Sequence, residues 1–296
     1  MPHLSVILPV RNGEKFIRHA VNSTLRALPR DANLVILNDG STDATPDILD
    51  SLACSKVEVI ESAGCGGLAN ALNLLLDSTD SEYVARMDAD DIVLPWRFKH
   101  QTGVRDADVV FSPVIHLGPK PLSIRPTRPG KLSPATLNRI LLIENPIAHS
   151  TALFRRSAIS AVGGYRSVLA EDYDLWLRIA AQGMKIHRTA WPALLYRHHS
   201  EQITSDGEWK AASRVEPLLL EAHEALARGL CGLGGDALSG LRDPGADQAA
   251  MLRSTRMIDS IHAFADEVLN KREGDYLRRK CTTVSRQLAR RLEAAR

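Results

Sequence analysis

The sequence predicts an α/β fold: a mostly parallel central sheet with flanking helices, followed by a C-terminal helical extension. Three observations carry that expectation. Through about residue 111, short apolar runs alternate with segments of helical spacing, the pattern of right-handed βαβ units. Three polar clusters stand directly after apolar runs, at Arg11-Asn12-Gly13, Asn38 to Asp43 and Asp88 to Asp91, which is where ligands gather in parallel sheets. Residues 208–296 carry helical spacing with few strand signals, interrupted by the glycine-rich stretch Gly229–Gly240.

Leu4–Val10 is a nearly continuous apolar run, as expected of a strand buried on both faces. Glu14–Leu28 then sets Phe16, Ile17, Ala20, Val21 and Leu25 on one helical face. Leu34–Leu37 reads as a second strand with a helix around Pro46–Ala53, and Val57–Ile60 as a third with a helix over Leu68–Leu76. The strand Glu82–Met87, a helix near Pro95–Val104 and the strand Asp108–Phe111 continue the series. Gly118–Gly130, rich in proline and basic groups, reads as a loop or linker. Beyond it come a strand at Thr151–Phe154, a short helix at Arg156–Val162 and a strongly helical segment, Asp172–Gln182, closed by Gly183.

A chain of 296 residues holds one large domain, or one domain and an appendage. Its 44% hydrophobic and 24% charged residues are ordinary for a globular protein, and a net charge of +2 gives no reason to expect nucleic-acid binding. No apolar run reaches the roughly 18 residues that span a bilayer. The N-terminus reads as a strand rather than a signal peptide. Cys54, Cys65, Cys231 and Cys281 have neither metal-type spacing nor the look of a disulfide framework, so a cytoplasmic protein is expected.

Arg86-Met87-Asp88-Ala89-Asp90-Asp91 packs three acids into four positions after an apolar run. Acids this close repel one another, and a hard divalent cation such as Mg²⁺ or Mn²⁺ relieves that repulsion. A solvated polar turn would use the same residues. In Asn38-Asp39-Gly40-Ser41-Thr42-Asp43, a carboxylate could accept the ring N–H of a uracil-type base, or the loop could simply be turn chemistry. Asn145 to Thr151 offers a histidine and two hydroxyls, for a sugar or diphosphate pocket or for a structural loop. Glu171-Asp172-Tyr173-Asp174 opens a helix with more acids than a cap requires; crowding favours a general base, and dipole complementation is the alternative. Tyr196 to Thr204 adds Arg197, His198 and His199, groups suited to phosphate or metal. There is no phosphate-loop motif and no nucleophile elbow, and Gly64-Cys65-Gly66-Gly67 lacks the third glycine of a dinucleotide loop.

Taken in order, Ser5 to Asn12, Asn38 to Asp43, Ala85 to Asp91, Asn145 to Phe154, Glu171 to Arg178 and Tyr196 to Thr204 resemble the motifs of the family-two glycosyltransferases of GT-A fold. The resemblance covers roughly residues 3–205. It implies a catalytic domain over 1–205, with a nucleotide-binding half about 1–115 and an acceptor half about 130–205, then a helical region over 206–296. It implies an inverting transfer from a nucleotide sugar, UDP-linked by preference, to a carbohydrate or lipid-linked acceptor, assisted by Mn²⁺ or Mg²⁺. By this resemblance Pro9, Val10, Arg11 and Asn12 line the nucleotide pocket and Asp39 holds the base. Asp88 touches the ribose or the metal shell, Asp90 binds the metal, and His199 lies near the diphosphate and metal. Asp172 is the base, with Glu171 beside it, while Trp176 and Tyr165 shape the acceptor side or belong to the core. Where many members carry Arg-Asn, this chain has Leu72-Asn73, so Asn73 alone carries over to the nucleotide site. A sugar-phosphate nucleotidyltransferase would want a glycine-rich, basic loop after the first strand, which Arg11-Asn12-Gly13 does not supply. A non-catalytic nucleotide-sugar-binding protein would have no need of Asp88, Asp90 and Asp172 together.

Lys271 to Arg296 holds nine Lys/Arg against three acids, with Leu277, Val284, Leu288 and Leu292 at helical spacing. That segment is expected either to touch the inner face of a membrane peripherally, or to pack on the chain or a second copy of it.

Overall fold

The computed structural model describes residues 2–118, 124–126, 130–198, 212–213, 216–267 and 270–295. Two compact units emerge. The first takes Met1–Lys131, Ile147–Ser167 and Met184–Gln202; the second takes Leu132–Pro146, Val168–Gly183 and Ile203–Arg296. These units cut the chain differently from a linear division at residue 205, because two short internal segments join the C-terminal helices.

The first unit is built on a seven-stranded sheet. Its strands are β1 Leu4–Val10, β2 Ala32–Asp39, β3 Val57–Ser62, β4 Tyr83–Arg86, β6 Val109–Phe111, β9 Leu153–Arg155 and β10 Ile186–Arg188, in the order β10-β6-β9-β4-β1-β2-β3. Four of its pairs are parallel, and β9 runs antiparallel between β4 and β6. The sheet is therefore mostly parallel, as the alternating pattern implied. β1 lies inside the sheet, between β4 and β2, and Val6, Ile7 and Leu8 are accordingly apolar on both faces and fully buried. Each such side chain contributes about 1.5–3 kcal/mol by leaving water. Helix α1 (Ile17–Ala27) adds Ile17, Ala20 and Val21 to the core formed by Leu4, Val6, Leu8, Leu34 and Ile36. Helices α2 (Thr45–Asp50), α3 (Leu68–Asp77) and α4 (Arg97–Thr102) follow β2, β3 and the two-residue strand β5 (Ile92–Val93), and α6 (Arg156–Ala161) follows β9.

A second sheet, of four strands, was not expected from the sequence. It runs β5-β11-β7-β8, with β5 Ile92–Val93, β7 Val114–Leu117, β8 Ile124–Pro126 and β11 Leu194–Arg197. β8 lies inside the stretch read as a loop over Gly118–Gly130, and its pairing with β7 makes it a strand despite its proline content. Pro126 opposes Ile115 at the edge of the sheet, where a missing N–H is tolerated.

The second unit is helical: α5 (Pro134–Leu141), α7 (Glu171–Ala181), α8 (Pro217–Cys231), α9 (Leu238–Arg242), α10 (Gln248–Glu267) and α11 (Lys271–Ala294). Helix α5 starts where Ser133 caps it and Pro134 occupies its first turn. Asn270 caps α11 by accepting the Glu273 N–H at 3.1 Å, and donates back to the Glu273 carboxylate at 2.9 Å. Of the apolar residues at helical spacing in α11, Leu277 and Leu288 are buried and Val284 and Leu292 half-buried, which fits the packing alternative. No helix among the described residues is long and apolar enough to cross a membrane.

Candidate active site

Parallel pairing brings the three N-terminal polar clusters to one edge of the sheet. Val10 sits opposite Asn38 in the β1–β2 ladder, Ile7 opposite Arg86 in the β1–β4 ladder, and the loops beyond these strands lie side by side.

The first two loops are stitched together. The Asn12 N–H donates to Ser41 Oγ at 2.9 Å, and Asn12 Oδ1 accepts the Thr42 N–H at 2.8 Å, with Asn12 in a left-handed conformation at φ 54°. Gly13 and Glu14 donate to Thr45 Oγ1 and to Asp43. Asn12 thus braces the loop after β2 against the loop after β1. Pro9 is half-buried, Val10 is buried and Arg11 is exposed. Asp39 ends β2, and its Oδ1 accepts the Cys65 N–H at 2.6 Å from the loop after β3. Gly40 turns the chain at φ +68°, with the Ala63 carbonyl 3.1 Å from where a β-carbon would stand, so this tight turn favours glycine.

At the end of β4 the three acids occupy different environments. Asp88 forms an ion pair with the buried Arg86 guanidinium. Asp90 is half-buried, and its carbonyl accepts from Arg197 Nε at 3.0 Å. Asp91 is buried, accepting Ser150 Oγ–H at 2.8 Å and the Arg197 N–H at 3.0 Å. Burial, then the neighbouring Asp90 charge, pushes its carboxyl up to about 7. One oxygen from each acid lies within 4.8 Å of the others, a convergence of hard donors that fits a divalent cation.

Behind the acids lies a buried polar network that the sequence did not reveal. Arg97, fully buried and pulled down to about 9 by that burial, donates to the Arg86 carbonyl at 2.8 Å. Gln101 accepts from Arg97 and donates to Ser112 Oγ and the Thr151 carbonyl. The signal was present as Arg97 and Gln101 one turn apart in an otherwise amphipathic stretch, but polar residues at helical spacing ordinarily face solvent. Nearby, His149 Nε2 and the Tyr165 hydroxyl lie 2.9 Å apart. Burial, then the charge of Arg86, holds His149 well below the usual imidazole range, so its ring is neutral. Asn73 gives its amide to the Tyr165 backbone in both directions, at 2.8 and 2.9 Å, and at Gly164 (φ +75°) a β-carbon would meet Asn73 Oδ1 at 2.8 Å. Asn73 therefore secures a turn in this structure, and Tyr165 is core.

In the second unit, the three acids opening α7 also divide. Asp174 is buried and held by Arg178 Nε at 2.8 Å. Asp172 is half-buried, its Oδ2 accepting from Asn145 Nδ2 at 2.8 Å and its Oδ1 from the Tyr173 N–H at 2.7 Å. Glu171 precedes it in the first turn, also half-buried, and Trp176 is wholly buried. His199 lies outside the described residues.

Residues 5–163 match the model of glycosyl transferase family 2. The chain is 27% identical over 208 residues to WfaP of Escherichia coli, a UDP-Glc:alpha-D-GlcNAc-diphosphoundecaprenol beta-1,3-glucosyltransferase, covering 70% of this chain and 81% of that protein. Among solved structures, TarS 1-349 of S. aureus in complex with UDP-GlcNAc aligns with a TM-score of 0.61 at 18% identity, over 100% of this chain and 93% of the other. The mannosyltransferase PcManGT of Pyrobaculum calidifontis, in complex with GDP-Man and Mn²⁺, aligns with a TM-score of 0.54 at 17% identity, over 99% and 86%. The fold is of the GT-A type, with C-terminal helices, and the chain is a glycosyltransferase belonging to glycosyl transferase family 2.

Proposed function

We propose that this enzyme transfers a sugar from a nucleoside-diphosphate sugar, UDP-linked by preference, to an acceptor hydroxyl, with inversion at the anomeric carbon. The observation that carries the reading is the convergence of Asp88, Asp90 and Asp91 beside the loops after β1 and β2, within the segment matched by the family model. The names of WfaP and of the TarS complex support UDP as the nucleotide, and WfaP supports a lipid-linked acceptor in glycan synthesis. Such an acceptor would bring a cytoplasmic enzyme to the inner face of a membrane.

Pro9, Val10, Arg11 and Asn12 form the wall of the nucleotide pocket in this reading. Asp39, with Oδ1 engaged by Cys65, offers its second oxygen to the base imide N–H. Asn73 acts by holding the turn at Tyr165. Asp88, Asp90 and His199 would hold Mn²⁺ or Mg²⁺, and the bound ion would neutralise charge on the departing diphosphate. Asp91 supports Asp90 from behind through Ser150 and Arg197. The Asp172 carboxylate, oriented by Asn145 and the Tyr173 N–H, removes the acceptor proton as the acceptor oxygen bonds to the anomeric carbon. The bond from that carbon to the β-phosphate oxygen breaks in the same displacement, and the nucleoside diphosphate leaves.

Asp172→Asn tests the assignment. It keeps the hydrogen bond to the Tyr173 N–H and removes the base, so turnover should fall by about 10²–10⁴-fold. Donor affinity by calorimetry should change little. Unchanged turnover would remove Asp172 from the role, and release of pyrophosphate in place of UDP would overturn the transferase chemistry.

A further inference from the structure

Two of the three described tryptophans are exposed and belong to segments joined by hydrogen bonds. Trp191 is 57% exposed and Trp96 40%, whereas Trp176 is fully buried. Trp usually hides most of its surface, so two exposed tryptophans on joined segments are not explained by packing. Nor are these rings loose. His100 stacks on Trp191 with centroids 5.5 Å apart and planes 12° from parallel. Trp96 Nε1 donates to the Pro192 carbonyl at 2.8 Å, the residue next to Trp191. The Trp191 carbonyl accepts from Thr189 Oγ1 at 3.1 Å, and Thr189 belongs to the buried network of Ser112 and Gln101.

The place of this pair in the fold gives it a purpose. β5 begins directly after Asp91 and pairs with β11, Leu194 opposite Val93, while the Leu94 N–H donates to the Ala193 carbonyl at 2.9 Å. One end of this ladder carries the Asp91–Arg197 hydrogen bond, and the other carries Trp96 and Trp191. Trp96 stands five positions after Asp91, so it lies within about 18 Å of the acids by chain reach. It is continuous with the acid cluster through a single hydrogen-bonded ribbon.

We infer that Trp191 and Trp96 form a glycan-binding platform beside the acid cluster, stacking hexose rings of a growing or acceptor oligosaccharide; this rests on the glycosyltransferase reading. A pyranose presents an apolar face of C–H bonds and a rim of hydroxyls. The electron-rich face of an indole takes the former, and the exposed Lys99 and half-buried His100 supply polar partners for the latter. Because His100 and Pro192 already hold the rings, little rotamer freedom remains to be lost on binding.

Full-length enzyme, Trp191→Ala and the Trp96→Ala/Trp191→Ala double variant would be titrated with cello-, malto-, laminari- and chitohexaose by calorimetry. Thermal melts would confirm that each variant is folded. The platform predicts that the wild type binds at least one hexaose, and that the double variant loses at least 10-fold in affinity for it. A wild-type enzyme that hydrolyses its donor yet binds none of the four overturns the platform and leaves the transferase reading intact. Hexaose binding unchanged in the double variant also overturns it. So does Trp191-dependent flotation with phosphatidylcholine–phosphatidylglycerol vesicles in the absence of hexaose binding, which would assign the pair to a membrane.

Discussion

Asp91 shows how one residue type divides its work by environment. Within four positions, one carboxylate is tied to Arg86, one is half-buried, and Asp91 is buried between a hydroxyl and a backbone N–H. Because burial and Asp90 raise its carboxyl to about 7, the folded state binds a proton that the unfolded chain releases near pH 3.9. In metal-free buffer, stability from this group is present at low pH and is lost as pH rises through about 7. Asp91→Asn does not titrate, and it keeps both contacts if its oxygen takes the Arg197 N–H and its amide donates to Ser150. In EDTA at pH 8 the variant should therefore melt above the wild type, while the rise in Tm on adding Mn²⁺ should shrink. A variant that melts lower in EDTA would show that the carboxylate is compensated from elsewhere.

At the scale of elements, the sequence was most legible where hydrophobic runs are long. β1 matches its expected bounds, and β2, β3, β4, β6 and β9 fall within a few residues of theirs. β5, β7, β10 and β11 have only two to four residues each, too few for alternation to register, and pairing across long sequence distances makes them strands. Helix α5 escaped notice although Ser133-Pro134 is a recognisable start signal. The acid cluster was legible because charge density survives without tertiary context. The pairings of Ser150 and Arg197 with Asp91, and of Asn145 with Asp172, were not, since nothing local links Asn145 to Asp172. The same long-range logic governs α8, where His223 Nε2 donates to the Leu142 carbonyl at 2.9 Å just past α5. Burial, with a contribution from Arg242, depresses this imidazole to about 4. The unfolded chain takes up the proton first, near pH 6.5, so stability is intact above that value and falls as pH drops toward 4, by about 3 kcal/mol in total. His223→Gln keeps an N–H donor that does not titrate. Urea midpoints should decline between pH 6.5 and 4 in the wild type and distinctly less in the variant; parallel curves would place the titration elsewhere.

For the molecule as a whole, the composition of the second unit has a consequence for how the chain can be divided. α5 and α7 lie within the first 205 residues, yet apart from each other they pack on helices from beyond them. The Tyr173 hydroxyl donates to the Leu141 carbonyl at 2.5 Å, joining α7 to α5. Arg242 of α9 then covers the Tyr173 ring at 4.6 Å, and Arg139 of α5 covers the Phe264 ring of α10 at 3.1 Å. From α11, Lys280 meets Glu144 at 2.5 Å and Glu273 accepts the Ser133 N–H at 2.5 Å. Ending the chain at residue 205 would also remove Leu219, Ala222 and Leu226 of α8, buried residues of the helix that packs on α7. Losing Leu219 and Leu226 alone costs about 2–5 kcal/mol each where cavities remain, a large share of the usual 5–15 kcal/mol of domain stability. A fragment of residues 1–205 should therefore aggregate or lose its cooperative melt, although it holds every motif of the family resemblance. A chain shortened only at residue 294 should melt like the full-length protein, because that cut leaves the buried residues of α11 in place. Both are read by size-exclusion chromatography and circular dichroism. A monomeric 1–205 fragment with a sharp transition would show that α7 and the Asp172 environment are held without the C-terminal helices, and that those helices are an appendage after all.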